Sequence, residues 1–290
     1  MYIDVIFVIT IFIYIYTIIN KNRKIEGFDS DLPNNIWMYW QNKPNSKKPI
    51  YLDLCYKTII KNCNNFKVRL LDENSVYKYL PNLRRDLDEN MSIPQKTDYI
   101  RINLLYNYGG IWIDSDTIVV KDLFPLLKYL DRYEYIGFGC TGLYCNKLPT
   151  GKPKPSNWVM ISRKHGKLMN NCIKEADKIL NNKKYLLKID YHILGRVLLW
   201  KNIKYLIDNE KWDYLHISSK CTERDSSGIK YKNKRLLTNE EYDSDCRNKI
   251  YFLPIYNTAP GFPPWFKKLS ENEILSSNML ISKMFNIALK

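Results

Sequence analysis

Apolar and polar positions along the chain switch between two periods. "NNIWMYWQ" (34–41) and "NFKVRLLD" (65–72) are short apolar runs rich in aromatic and aliphatic side chains, which predicts strands. Between them "QNKPNSKKP" reads as a loop, and "IYLDLCYKTIIKNC" places Leu52, Cys55, Ile59 and Cys63 at helical spacing. Strand, helix and a second strand in this order predict an α/β unit. From Pro94 to Tyr108 the pattern is helical, with proline suited to the first turn and Gly109 to the C-terminal cap. "IWIDSDTIVV" (111–120) follows as a strand, then "YEYIGFGC" and "NWVMISR" as further strands. "HGKLMNNCIKEADKIL" and "DYHILGRVLLW" predict helices, and "WDYLHIS" and "KIYFLPIYN" late strands. The polar stretch Cys221 to Asp245 reads as a surface excursion, and no internal repeat is present.

The N-terminus departs from this pattern. "VIFVITIFIYIYTII" (5–19) is apolar apart from two threonines and, with Tyr2 and Ile3, is long enough to cross a bilayer as a helix. It has neither the basic n-region nor the small-residue cleavage site of a signal peptide. The expected organisation is a transmembrane anchor at 1–20, a tether at 21–32 and a globular domain at 33–290. Lys21, Arg23 and Lys24 follow the span, and the positive-inside rule then faces the body to the cytoplasm.

Charge adds little. The net charge is +15, but the lysines are scattered among abundant Asn, Ile and Tyr. No basic stripe forms, so a solvated surface rather than a nucleic-acid interface is expected. The seven cysteines contain no CxxC, which argues against structural zinc. Cys140 and Cys145 are the closest pair, and a scattered, reduced set is the expectation. A single "NMS" sequon at Asn90 settles nothing.

Candidate chemistry centres on "NYGGIWIDSDTIVV". An isolated ionised carboxylate is expensive to bury, so Asp114 and Asp116 need a cation or an open site. In one extended segment, residues two apart share a face, which would let both acids hold one divalent ion. Two carboxylates and a hard cation with open positions suit a diphosphate ligand, and Mg2+ and Mn2+ both fit. The C-terminal end of a central strand is where open α/β sheets bind ligands. Asp98 and Arg101, at i and i+3, lie on one helix face; such a pair is either a surface ion pair or part of the same cleft.

With these residues in place, "TDYIRINLLYNYGGIWIDSDTIVVKDL" resembles the core motif of sugar-nucleotide-dependent glycosyltransferases of the GT-A fold. It is most similar to glycosyltransferase family 32 and the capsular polysaccharide synthesis proteins, and shares the D-x-x-R … D-x-D layout of the clostridial glucosylating toxins. "LPNNIWMYWQNKP" and "NWVMISRKHGKLMNNCI" extend the resemblance over about 32–200. The resemblance implies a Rossmann-like fold with a central mixed sheet, and retention of anomeric configuration. It implies that Asp116 ligates the metal and that Asp114 contacts the ribose and metal shell. Asp98 and Arg101 would bind donor-sugar hydroxyls, and Trp40 or Trp37 the base. For Trp37 core packing is the better reading. The implied partners are a nucleotide-sugar donor and a glycan, protein or lipid acceptor.

The tail lies beyond the resemblance. "YNTAPGFPPWFKK" is either a Pro-rich surface turn or a loop over the diphosphate, with Asn257 as a further metal ligand and Trp265 or Lys267 near phosphate. His216 is either a late metal ligand or a hydrogen-bonded strand-end histidine. Asp190 is either a helix cap or an acceptor-side acid. Two other functions compete. Haloacid-dehalogenase-type phosphatases also use an apolar D-x-D, but there a further residue precedes a Thr or Val, whereas Thr117 follows Asp116 directly and Ile118 holds the later position. A membrane-anchored glycan- or nucleotide-binding protein without activity would be expected to have lost one of Asp98, Arg101, Asp114 or Asp116.

Overall fold

A six-stranded mixed sheet organises the chain, with strand order β2-β1-β3-β6-β5-β7. The computed structural model describes residues 32–87, 91–139, 147–148, 151–182, 190–231, 233–246, 249, 251–255 and 262–290. The expected anchor and tether up to residue 31, Asn90, Cys140, Cys145 and Asn257 lie outside the described residues. Among the described residues no helix is long and apolar enough to cross a membrane.

Strands β1 (Asn35–Tyr39), β2 (Lys67–Leu71) and β3 (Gly110–Ile113) run parallel, and helix α1 (Ile50–Asn62) connects the first two. Strand β4 (Thr117–Val119) leaves this sheet. Strands β5 (Tyr135–Phe138) and β6 (Ser156–Ser162) return to it; β6 runs antiparallel to both β3 and β5. Strand β7 (Leu215–Ile217) closes the edge parallel to β5. Strand β8 (Phe252–Pro254) pairs with β4 in a separate two-stranded sheet.

Two apolar clusters flank this frame. One gathers Trp37, Trp112 and Met160 with helices α2 (Ile93–Tyr108), α3 (Lys167–Asn181) and α4 (Leu198–Asn209). The other joins α1 to β4, β8 and α5 (Leu280–Ala288). Removing a side chain such as Leu104 or Ile111 from water stabilises the fold by about 1.5–3 kcal/mol each.

Helix α2 starts where the chain supplies its own cap. The Ser92 N–H donates to Gln95 Oε1 at 3.1 Å, and proline occupies the second helical position. The helix stops at Gly109, φ +64°, and Gly110 follows at φ +99°. A Cβ on Gly110 would lie 2.3 Å from the Asn35 carbonyl oxygen, so only glycine allows β3 to start against β1.

Four expectations change here. The run 111–120 is not one strand: β3 ends at Ile113 and β4 starts at Thr117 in the other sheet. Ser115 Oγ donates to the Tyr39 carbonyl, and the Ile255 N–H donates to the Asp116 carbonyl, so the backbone turns between two sheets. "DYHILGRVLLW" is regular α-helix only from Leu198; Ile193–Val197 is a π-helical turn broken at Gly195. The stretch 221–245 is no simple excursion, since Cys221, Tyr231, Leu236 and Tyr242 are buried in the second cluster. Cys221 is bonded to Cys246, against the expected reduced set, while Cys55, Cys63 and Cys172 are free and buried.

Candidate active site

The sheet's C-terminal end collects the polar groups that the apolar strands lead to. Helix α2 presents Asp98 and Arg101, one turn apart, to the end of β3 and the start of β6. Arg101 Nη2 stands 3.2 Å from Asp98 Oδ1 and 3.2 Å from Asp114 Oδ1. Its Nη1 donates to the Asn157 carbonyl, and its guanidinium lies 5.0 Å from the Trp112 ring centroid. Asn157 Nδ2 donates to Asp98 Oδ1 at 2.9 Å, and Trp112 Nε1 to Asp114 Oδ1 at 2.8 Å. The surface-pair reading of Asp98 and Arg101 is therefore excluded, since both are buried.

Burial dominates the electrostatics. Desolvation pushes the Asp98 carboxyl up to about 6, although Arg101 opposes it. Asp114 is raised by the same cause and held back by Arg101. Both contacts to Asp114 fall on Oδ1. Asp116 sits half-buried in the turn, near enough to α1 for its charge to add to the burial that raises the Cys55 thiol.

The expected residues among those described can now be placed. Asp98, Arg101 and Asp114 meet, with Asp116 two residues along the chain. The two aspartates flank a turn and do not share one strand face. Trp40 is half-buried just past β1, with its Nε1 donating to Asn42 Oδ1 at 2.8 Å. Trp37 is not available to a base: it is enclosed in the core, with Nε1 on the Gly109 carbonyl at 2.9 Å and Tyr79 and Tyr108 against its ring. His216 is hydrogen-bonded at a strand end, the second of the two readings. Its Nε2 lies 2.6 Å from the Gly139 carbonyl oxygen, and its strand β7 stands three strands from β3 in the sheet. Asp190 Oδ1 accepts from the His192 N–H at 2.7 Å and shapes a turn. Trp265 is exposed.

Two residues escaped the sequence reading. Asn157 bonds Asp98 and Arg101, yet in "PSNWVM" it looks like an ordinary strand start. Gly195 packs on the same carboxylate: a Cβ there would lie 2.4 Å from Asp98 Oδ2.

Among the described residues no three His, Cys, Asp or Glu side chains gather as a metal cluster. Two carboxylates completed by ligand phosphates are nevertheless a normal donor set for Mg2+ or Mn2+, so the residues present fit such an ion.

An α/β protein with a mixed sheet and an acid–arginine cluster at its strand ends is thereby defined. The chain belongs to the capsular polysaccharide synthesis protein family, whose sequence profile matches residues 13–221. Comparison with curated proteins gives no match. Among solved structures the chain is similar to PaToxG glycosyltransferase, at 16% identity over 89% of this chain and 87% of that one, TM-score 0.42. The galactosyltransferase LgtC, solved with donor and acceptor sugar analogs, matches at 12% over 88% and 95%, TM-score 0.43. The glycosyltransferase GlyE of Streptococcus pneumoniae TIGR4 matches at 11% over 89% of this chain and 60% of that one, TM-score 0.44. Likenesses of this size carry no argument about the chemistry of this chain.

Proposed function

We propose that the chain is a metal-dependent glycosyltransferase that moves a sugar from a nucleotide-sugar donor to a glycan, protein or lipid acceptor, with retention of configuration. The convergence of Asp98 and Asp114 on Arg101 at the sheet's C-terminal end carries this reading. Family membership supports it.

Asp98 and Arg101 bind hydroxyls of the donor sugar, with Asn157 holding Asp98 in place. Trp40 offers a ring to the base; aromatic faces take any base by stacking. Arg101 and Trp112 fix Asp114 Oδ1, which leaves Oδ2 for the ribose and the ion's shell. Asp116 would hold the ion. When bound, Mg2+ or Mn2+ stabilises the charge of the departing diphosphate. Preorganised side chains that need no rearrangement during reaction supply much of such catalysis.

A phosphatase reading loses support because the acids follow the third strand rather than the first. Residues 1–20 attach the domain to a membrane. Basic residues after the span favour a cytoplasm-facing body, whereas the Cys221–Cys246 bond favours an oxidising compartment. Protease protection in sealed vesicles decides between them.

The function is tested by nucleoside diphosphate release from UDP-, GDP- and CMP-sugars, the last releasing the monophosphate. Wild-type protein is expected to turn over one class, and Asp116→Ala to abolish turnover with unchanged circular dichroism. A fully active Asp116→Ala would end the metal role.

A further inference from the structure

Ser156, Asn157 and Trp158 stand between the acid–arginine cluster and a carboxylate that the proposed reaction does not use. On the cluster side, Asn157 bonds Asp98 and Arg101, and the Trp158 carbonyl accepts the Asp114 N–H at 2.8 Å. On the other side, Trp158 Nε1 donates to Glu223 Oε1 at 2.7 Å, and Ser156 Oγ to the same oxygen at 3.2 Å. Glu223 is buried, 6% exposed.

Neighbouring features keep the carboxylate there. Gly139, φ +80°, lies so close that a Cβ would be 2.5 Å from Oε1. The Glu223 carbonyl accepts from the Tyr231 N–H at 2.9 Å, and Cys221, two residues away, is bonded to Cys246. A buried carboxyl with two donors converging on one oxygen is a strong anchor, because its loss would leave the buried indole N–H without an acceptor.

We infer that Glu223 is a positioning residue for donor binding: through Trp158 and Ser156 it fixes the tripeptide that orients Asp98, Arg101 and Asp114. The disulfide-closed segment 221–246, through Glu223, is then part of the active-site scaffold. This rests on the glycosyltransferase reading for its kinetic consequence, but the structural coupling is measurable without any activity.

Full-length Glu223→Ala and Glu223→Gln are compared with wild type by hydrogen–deuterium exchange and by donor kinetics. Gln keeps an acceptor oxygen for both donors; Ala keeps none. Glu223→Ala is expected to speed exchange at 110–117 and 154–160, leaving α1 and α5 unchanged, and to raise the donor KM about tenfold with kcat less affected. Glu223→Gln is expected to restore both. If Glu223→Ala does not fold, Trp158→Phe removes the indole donor and must speed exchange at 110–117. Wild-type exchange there in the folded variant overturns the inference. A wild type that turns over no nucleotide sugar sinks the functional reading instead, while the exchange result still decides the role of Glu223.

Discussion

Arg101 on helix α2 and Asp114 at the end of β3 meet at 3.2 Å between Nη2 and Oδ1. The same nitrogen is 3.2 Å from Asp98 Oδ1, so one guanidinium balances two carboxylates, Asp98 buried and Asp114 partly exposed. Its planar fork suits this task, and an ammonium would not reproduce it.

Replacing that cation should be severe. Arg101→Met leaves two carboxylates without their partner, and breaking a buried pair costs about 3–5 kcal/mol. Urea denaturation should show a loss of this size at neutral pH. A loss under about 1 kcal/mol would mean that water already compensates the acids.

Asp98 gives the fold a pH dependence of unusual sign. Burial lifts its carboxyl to about 6 in the folded state, from an ordinary 3.8. Between these values the folded state holds more protons than the unfolded one, so this contribution to stability is lost as pH rises through the window. Asp98→Asn should flatten that part of the stability profile while impairing turnover. Urea midpoints between pH 4 and 7 for both proteins check the slope.

Gly110 should tolerate no side chain. Alanine there must adopt φ +99° and bring Cβ to 2.3 Å from the Asn35 oxygen. Backbone strain of this kind costs about 1–3 kcal/mol before the clash is counted. Calorimetry of Gly110→Ala should show a clear fall in Tm or no cooperative transition.

The Cys221–Cys246 bond spans 25 residues. Closing a loop of that length stabilises by about 3 kcal/mol in the chain-entropy view. Cys246→Ser should lower stability by that order in oxidising buffer, and dithiothreitol should bring the wild type to the same level.

Much of this site was legible in the sequence, for local reasons. The i,i+3 spacing of Asp98 and Arg101, the proline start and the glycine stop fix one helix face by backbone geometry alone. The course of β1, β2 and β6 followed from apolar runs. What escaped depended on distant partners. The break after Ile113 is decided by Tyr39 and Ile255, far along the chain, which capture Ser115 and Asp116. Glu223 and Cys246 sit in a polar stretch whose buried residues carry no periodic signal.

The most direct test of the central claim is a thermal-shift screen of the full-length protein against UDP-, GDP- and CMP-sugars, with and without Mn2+. A ligand that binds only the native state must raise Tm. The account predicts a Mn2+-dependent rise with one class of nucleotide sugar, absent from Asp116→Ala. No rise with any of them, from a folded sample, would contradict it.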